Sequence, residues 1–312
     1  MSVTRYLRRP RRLRAFHPLG HPRLCARWLW LTSCLLLAAC GGAPDESTLD
    51  RITRTGVVRV GFANEAPYAY MDPQTGMLSG EAPAVARLVL RDLGVDQVEG
   101  VLTEFGALIP GLKAGRFDMI AAGMYITPAR CREIAFSNPT YRVDEGFLVP
   151  AGNPMNLHSY TDVREHPDAR LGVVAGTVEL GFARTLGISS ERIVVLPDNP
   201  SALAALEAGR IDAYAGTALT IADLLERSET TAFEQAVPFE NPVIEGQEQV
   251  GYGALGLRTQ DTDLLAAINE RLKQVLGTEA HLRAVAPFGF SEATLPGGVA
   301  AETLCTNQAA AH

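Results

Sequence analysis

FGALIPGLKAGRFDMIAAGMYITPARCR, Phe105 to Arg132, is the stretch that decides the fold. Ala107, Leu108 and Leu112 make a helical apolar stripe that stops at Ala114-Gly115. Phe117 to Ala122 is an apolar run of strand length, broken only by Asp118. Gly123 to Thr127 then reads as an exposed loop that delivers the Tyr125 ring, a hydroxyl and, just beyond, the Arg130 guanidinium. Helix, tight turn, buried strand, loop, helix is the unit of an open α/β sheet. In such a sheet the loop leaving a strand's carboxyl end is where ligands bind. An aromatic ring and a fixed cation in that loop suit a small molecule carrying a carboxylate.

Working outward, the unit recurs. LEAGRIDAYAGTA, Leu206 to Ala218, is a near copy of LKAGRFDMIAAGM, Leu112 to Met124, each giving a helix end, an Ala-Gly turn and a strand that begins at the residue before an Asp. Before the first copy, Val57 to Gly61 and Val98 to Leu102 read as strands, with a helix over Ala82 to Leu93. Before the second, Arg170 to Val174 and Arg192 to Leu196 are strands, and Thr177 caps a helix. Asp198 to Ser201 caps a helix through Leu206, with Asn199 near the ligand end but serving as a cap. Gly146 to Pro150 and Gly251 to Leu257 are extended crossings, and Thr262 to Leu276 is an amphipathic helix. The pattern predicts two α/β lobes, each a mainly parallel sheet flanked by helices, joined by two hinge strands. Lobe 1 is expected over 49–148, lobe 2 over 149–252, and a return to lobe 1 with the C-terminal tail over 253–312.

Residues 1–39 carry eight arginines and no acidic residue, then an apolar run from Trp28 to Ala39 and Cys40. That is a secretory leader, its apolar core too short for a comfortable membrane span. Leu37-Ala38-Ala39-Cys40 resembles a bacterial lipobox, which would make Cys40 the lipidated first residue, followed by a tether over 40–48. The other reading is a non-lipidated signal with a chance cysteine. The net charge of −7 becomes −15 once the leader's eight arginines are removed. So acidic a chain is a poor nucleic-acid partner. Cys131 and Cys305 remain, in a compartment that permits disulfides. A bridge between them would tie the C-terminal tail to the helix after the ligand loop, although spacing alone leaves two separate buried thiols open.

GFANEAPYAY from Gly61, the run from Phe105 to Met124, TPAR from Thr127, FSNPTY from Phe136 and LEAGRIDAYAG from Leu206 together resemble solute-binding proteins of amino-acid-type ABC importers. GFANEAPYAY with EFGALIPGLKAGRFDMIAAGMYITPARC is similar to the ectoine- and hydroxyectoine-binding proteins of that group. The resemblance covers nearly all of Leu49 to Phe290. It implies a two-lobed periplasmic-binding-protein fold of type II, closing on a zwitterion in its cleft and passing it to an ABC permease in the inner membrane. The expected protein is a monomer held to the membrane by lipid, with no cofactor, metal or catalytic residue.

Arg130 suits the ligand carboxylate, with backbone N–H groups and the hydroxyl of Thr177 completing the anion site from the other lobe. Amino-acid binders of this group place an Asp after the strand matching Asp212 to Ala215, whereas this chain has Gly216-Thr217-Ala218. A compact ammonium would lack its acceptor there. The cyclic amidine of ectoine spreads its charge over a flat ring, which suits aromatic faces and one carboxylate. Tyr68, Phe105 and Tyr125 are the candidate box and Glu65 the candidate acceptor. Tyr68 and Tyr125 stand where phenylalanine would serve, and a hydroxyl there could also reach that of hydroxyectoine. The plainer readings are a surface ion pair of Arg130 with Glu133, a solvated Glu65 and a core Phe105. The competing functions are a receptor for a polar or cationic amino acid, and a dehydratase-like enzyme on the same scaffold with Glu65 as general acid. Against the enzyme, no histidine lies in the ligand loops.

Overall fold

The computed structural model describes residues 46–228 and 231–306. The leader over 1–39, Cys40 and most of the tether therefore lie outside the described residues. No helix among the described residues is long and apolar enough to cross a membrane.

Two larger sheets carry the chain, and both use the same strand order. In the first, Val57–Phe62 lies between Gln97–Leu102 and Met119–Tyr125, all parallel, and Gly251–Leu257 runs antiparallel beside Met119–Tyr125. In the second, Leu171–Val174 lies between Ile193–Leu196 and Ala213–Thr217, again parallel, and Glu145–Pro150 runs antiparallel beside Ala213–Thr217. The inner parallel strands Met119–Tyr125, Leu171–Val174 and Ala213–Thr217 are covered on both faces and read as apolar runs, whereas the edge strand Gln97–Leu102 is exposed and does not. Phe147 and Val149 face one core cluster with Ala213 and Ala215, while Leu148 and Tyr214 face another. That alternation is the two-residue period of a strand.

The two sequence copies share a structural device. Asp118 accepts hydrogen bonds from the Arg59 backbone N–H at 2.9 Å and from Arg59 Nη2 at 2.9 Å. Asp212 accepts from the Arg170 backbone N–H, Nε and Nη2, each at 2.9 Å. In each sheet the acidic residue that interrupts the apolar run clamps the start of the neighbouring parallel strand.

The structure differs from the sequence expectation in two places that matter for the site. Met119–Tyr125 remains a strand through Tyr125, because Gly251–Leu257 pairs Ala254 with Met124 and Gly253 with Tyr125. The predicted loop is thereby reduced to its last residues, and the Tyr125 ring is held by a sheet. The first crossing also falls earlier than the expected boundary after residue 148. Tyr141–Val143 pairs with Gly251–Leu257 in the first sheet, while Glu145–Pro150 lies wholly in the second. Likewise Gly251 and Tyr252, expected at the end of lobe 2, pair in the first sheet.

Cys131 and Cys305 form a disulfide with their Cα atoms 5.7 Å apart. It fastens the short helix Pro128–Cys131, which carries Arg130, to the C-terminal helix Ala301–Thr306.

Glu81, at the start of the helix Glu81–Arg91, is 1% exposed, with no hydrogen-bond partner for either carboxyl oxygen. Burial pushes its pKa from 4.5 to about 8. A raised native pKa favours the neutral form, so its contribution to stability is complete below 4.5 and is lost as pH rises toward 8. The slope in that window is about 1.4 kcal/mol per pH unit. Glu81→Gln should therefore match the parent protein at pH 4 and melt at a higher temperature at pH 9, as read by thermal unfolding across pH.

Candidate functional site

The loop after Val57–Phe62 is pinned to itself before it reaches the cleft. The Glu65 N–H donates to the Ala69 carbonyl and the Ala69 N–H donates back, both at 2.8 Å. This fixes Glu65 and Tyr68 side by side off a strand's carboxyl end. Arg130 is fixed differently. Thr127 caps the helix Pro128–Cys131 by accepting the Arg130 backbone N–H at 3.2 Å, and Arg130 Nη1 donates to the Tyr125 carbonyl at 2.8 Å. Glu133 pairs with Lys113, so it does not hold Arg130 as a surface ion pair.

All six residues singled out from the sequence line one cavity, together with Glu179 and Thr217. Tyr68, Phe105 and Tyr125 are each less than a tenth exposed and turn rings toward it. The Arg130 guanidinium carbon lies 5.5 Å from the centre of the Phe105 ring, over its face.

Contacts from the two sheets meet around this cavity. Arg130 Nη2 donates to the Gly176 carbonyl at 3.0 Å. The Tyr68 hydroxyl lies 2.7 Å from Thr217 Oγ1, which donates to Thr220 Oγ1 at 3.1 Å, and Thr220 donates to Glu65 Oε1 at 3.2 Å. Since each Thr proton is directed onward, the Tyr68 hydroxyl is the donor to Thr217. A relay of hydroxyls thus crosses the cleft and ends on the Glu65 carboxylate. The Tyr68 hydroxyl is consumed in it, so of the two ring hydroxyls expected near the ligand only that of Tyr125 lacks a partner.

Gly176 lies where the backbone of the second lobe comes close against that of the first. Its φ is +83°, and a Cβ there would lie 2.5 Å from the Gly106 Cα. Gly176→Ala should leave the fold intact but hold the cleft ajar. We expect a loss of roughly tenfold or more in affinity, measured by titration calorimetry beside an unchanged circular dichroism spectrum.

The sequence reading differs from the geometry at Thr177. The helix Val178–Thr185 does begin there, but the Thr177 hydroxyl donates to the Val174 carbonyl at 2.9 Å. The Thr177 backbone N–H also donates to the Val174 carbonyl, at 3.4 Å, so the donors left for an anion are the N–H groups of the helix's first turn beyond Thr177. Glu179 went unrecognised in the sequence. It stands in the first turn of that helix, 5% exposed, and its carboxylate lines the cavity. It places an acid in the second-lobe wall, where Gly216-Thr217-Ala218 carries none.

The electrostatics follow from this crowding. Burial, then the nearby Glu179 carboxylate, pushes Glu65 to about 7, against the Thr220 hydroxyl, the Asn199 amide and Arg130. Burial also raises Glu179, while Arg130 pulls it down. Burial lowers Arg130 to about 10, which leaves it charged at neutral pH. Asn199 belongs to this site more closely than a cap would. Asp198 is the N-cap of the helix Asn199–Glu207, and Asn199 Oδ1 accepts the Tyr214 hydroxyl at 2.6 Å. Neither histidine nor cysteine lines the cavity, and no group of three or more His, Cys, Asp or Glu among the described residues could hold a metal.

Residues 58–281 match the bacterial extracellular solute-binding proteins, family 3. The chain is 39% identical over 280 residues to the probable amino-acid ABC transporter periplasmic-binding protein y4tE of Sinorhizobium fredii, covering 88% of this chain and 90% of that one. It is similar to the crystal structure of EhuB in complex with hydroxyectoine, with a TM-score of 0.76 and 35% identity over 85% of this chain and 100% of that one. It is also similar to the ancestral amino acid-binding protein AncCDT-1, a precursor of cyclohexadienyl dehydratase, with a TM-score of 0.66 and 26% identity over 78% of this chain and 99% of that one. The chain belongs to family 3 of the bacterial extracellular solute-binding proteins and is the extracytoplasmic binding protein of an amino-acid-type ABC importer.

Proposed function

We propose that this protein captures ectoine or 5-hydroxyectoine and delivers it to its permease. The observation that carries this reading is the pairing of one guanidinium with a chamber walled by three rings and closed by acids. Arg130 and Glu65 share a cavity with Tyr68, Phe105 and Tyr125. A carboxylate on Arg130 would also meet the N–H groups at the start of Val178–Thr185. A flat cation carried on a ring would lie against the aromatic faces with its N–H groups toward Glu65. The relation to EhuB, crystallised with hydroxyectoine, supports the same reading.

In this account residues 49–143 and 251–306 form one lobe, residues 145–250 the other, and the protein acts as a monomer tethered by lipid on Cys40. Binding across the cleft favours the closed state because only closure completes both halves of the site.

Glu179 gives a second reading some weight. Two carboxylates against one guanidinium also suit a cationic amino acid, whose side chain would extend into the adjoining hollow past Phe182 and Tyr252. The lysine/arginine/ornithine-binding periplasmic protein of Escherichia coli is 29% identical over 183 residues. A thermal-shift panel of ectoine, hydroxyectoine, proline betaine, glutamine, lysine and arginine separates the two. Large shifts with ectoine and hydroxyectoine alone are expected. A large shift with arginine or lysine and none with ectoine would replace the first reading by the second.

A further inference from the structure

Around the chamber wall lie buried polar atoms without hydrogen-bond partners, on two residues that line the chamber, Tyr125 and Glu179, and on two that do not, Glu145 and Tyr160. Glu145 opens the crossing strand Glu145–Pro150 and is 2% exposed, and neither of its carboxyl oxygens has a hydrogen-bond partner. Glu179 Oε2, the Tyr125 hydroxyl and the Tyr160 hydroxyl are buried and unpartnered too. The four side chains come from four elements: the crossing strand, the helix Val178–Thr185, the strand Met119–Tyr125 and the helix Tyr160–Glu165. Glu145 feels Glu179, the Tyr125 hydroxyl, Asp144 and Glu65, and none of these is a cation. Tyr160 feels the same two carboxyl groups, together with Tyr214.

Two neighbouring carboxylates buried from water, both ionised, would be strongly unfavourable. The conflict is resolved if the pair keeps one proton. Its location follows from the surroundings. Glu179 lies in the first turn of a helix and near Arg130, and both favour its charged form. Glu145 has neither, and its backbone is held by the Asn241 side chain, whose Oδ1 accepts the Glu145 N–H at 2.9 Å.

We propose that Glu145 is the protonated member of a Glu145–Glu179 pair and that its O–H donates to the Glu179 carboxylate, fixing the acceptor that faces the ligand. Glu145 is then a positioning residue for specificity. It makes Glu179 a rigid, single-charged acceptor for a ligand N–H or O–H donor on the second-lobe side, opposite Glu65. The Tyr125 hydroxyl completes the network by donating to the free oxygen of Glu145. The class of ligand selected is a small zwitterion with a second donor on its ring, such as an amidine N–H or a ring hydroxyl. This rests on the function proposed above.

The test uses Glu145→Gln and Glu145→Leu in the full protein, with hydroxyectoine as the titrant and infrared spectroscopy without ligand. Glutamine keeps a donor toward Glu179 and leucine does not. Binding within about threefold of the parent is expected for Glu145→Gln, and a loss of roughly tenfold to a hundredfold for Glu145→Leu. The Glu145→Gln minus parent spectrum at neutral pH should lose one carbonyl stretch of a protonated carboxylic acid. Equal weakening in both variants, or an unchanged acid band in Glu145→Gln, would overturn the proposal. The infrared result needs no ligand, so it decides the proton even if the parent protein fails to bind hydroxyectoine, an outcome that would count against the function alone.

Discussion

Arg130→Ala will abolish ligand binding without unfolding the protein. The guanidinium is the one cation among the residues lining the chamber, and nothing nearby can replace it. Truncating one partner of a buried charge pair leaves the ligand carboxylate desolvated and unpaired, a cost that corresponds to at least about a hundredfold in affinity. The side chain also bridges the lobes through the Gly176 carbonyl, so its loss weakens closure as well as contact. Arg130→Lys will rescue little, because an ammonium cannot reproduce two parallel donors while keeping the bonds to the Tyr125 and Gly176 carbonyls. Titration calorimetry with hydroxyectoine, beside a melting curve, separates lost binding from lost folding. A variant that binds within tenfold of the parent would mean the carboxylate is held elsewhere.

The second large effect is on pH. Glu65 rises from its ordinary 4.5 to about 7 in the ligand-free protein, first because it is buried and next because Glu179 is near. A cationic ring binds the ionised form. Below about 7 the carboxyl must therefore give up a proton on binding, and affinity should fall by up to about tenfold per pH unit. Above that value affinity should level off. Glu65→Gln removes the acceptor and the titration together, giving weak binding whose slope over pH 5 to 7 is much flatter than the parent's. The dissociation constant measured at half-unit steps from pH 5 to 8.5 decides this. An affinity that rises on acidification would show that Glu65 meets the ligand as a protonated donor.

Much of this architecture was legible before the structure, for identifiable reasons. The twin runs from Leu112 and Leu206 carry a local code, with an apolar stripe, an Ala-Gly turn and an Asp at the strand start. The structure gives the two acids the same task of clamping Arg59 and Arg170. Arg130, Glu65 and the rings were legible because loops off strand ends have few other reasons to carry such side chains. Glu179 was not. An acidic residue in a helix's first turn is ordinary macrodipole chemistry, and only the other lobe folding over it makes it a wall of the chamber. Glu145 was hidden beside Asp144, where an acidic pair reads as a polar loop, until the antiparallel crossing buried it. The roles of Thr217 and Thr220 depend on a relay across the cleft between residues far apart in the chain. No local pattern encodes such a contact.

The most direct test of the central claim is a crystal structure of the protein grown with hydroxyectoine. The account predicts the ligand carboxylate on Arg130, its ring among Tyr68, Phe105 and Tyr125, and its amidine N–H groups on Glu65. An empty cleft, or an α-amino acid carried through purification with its ammonium on Glu179, would contradict it.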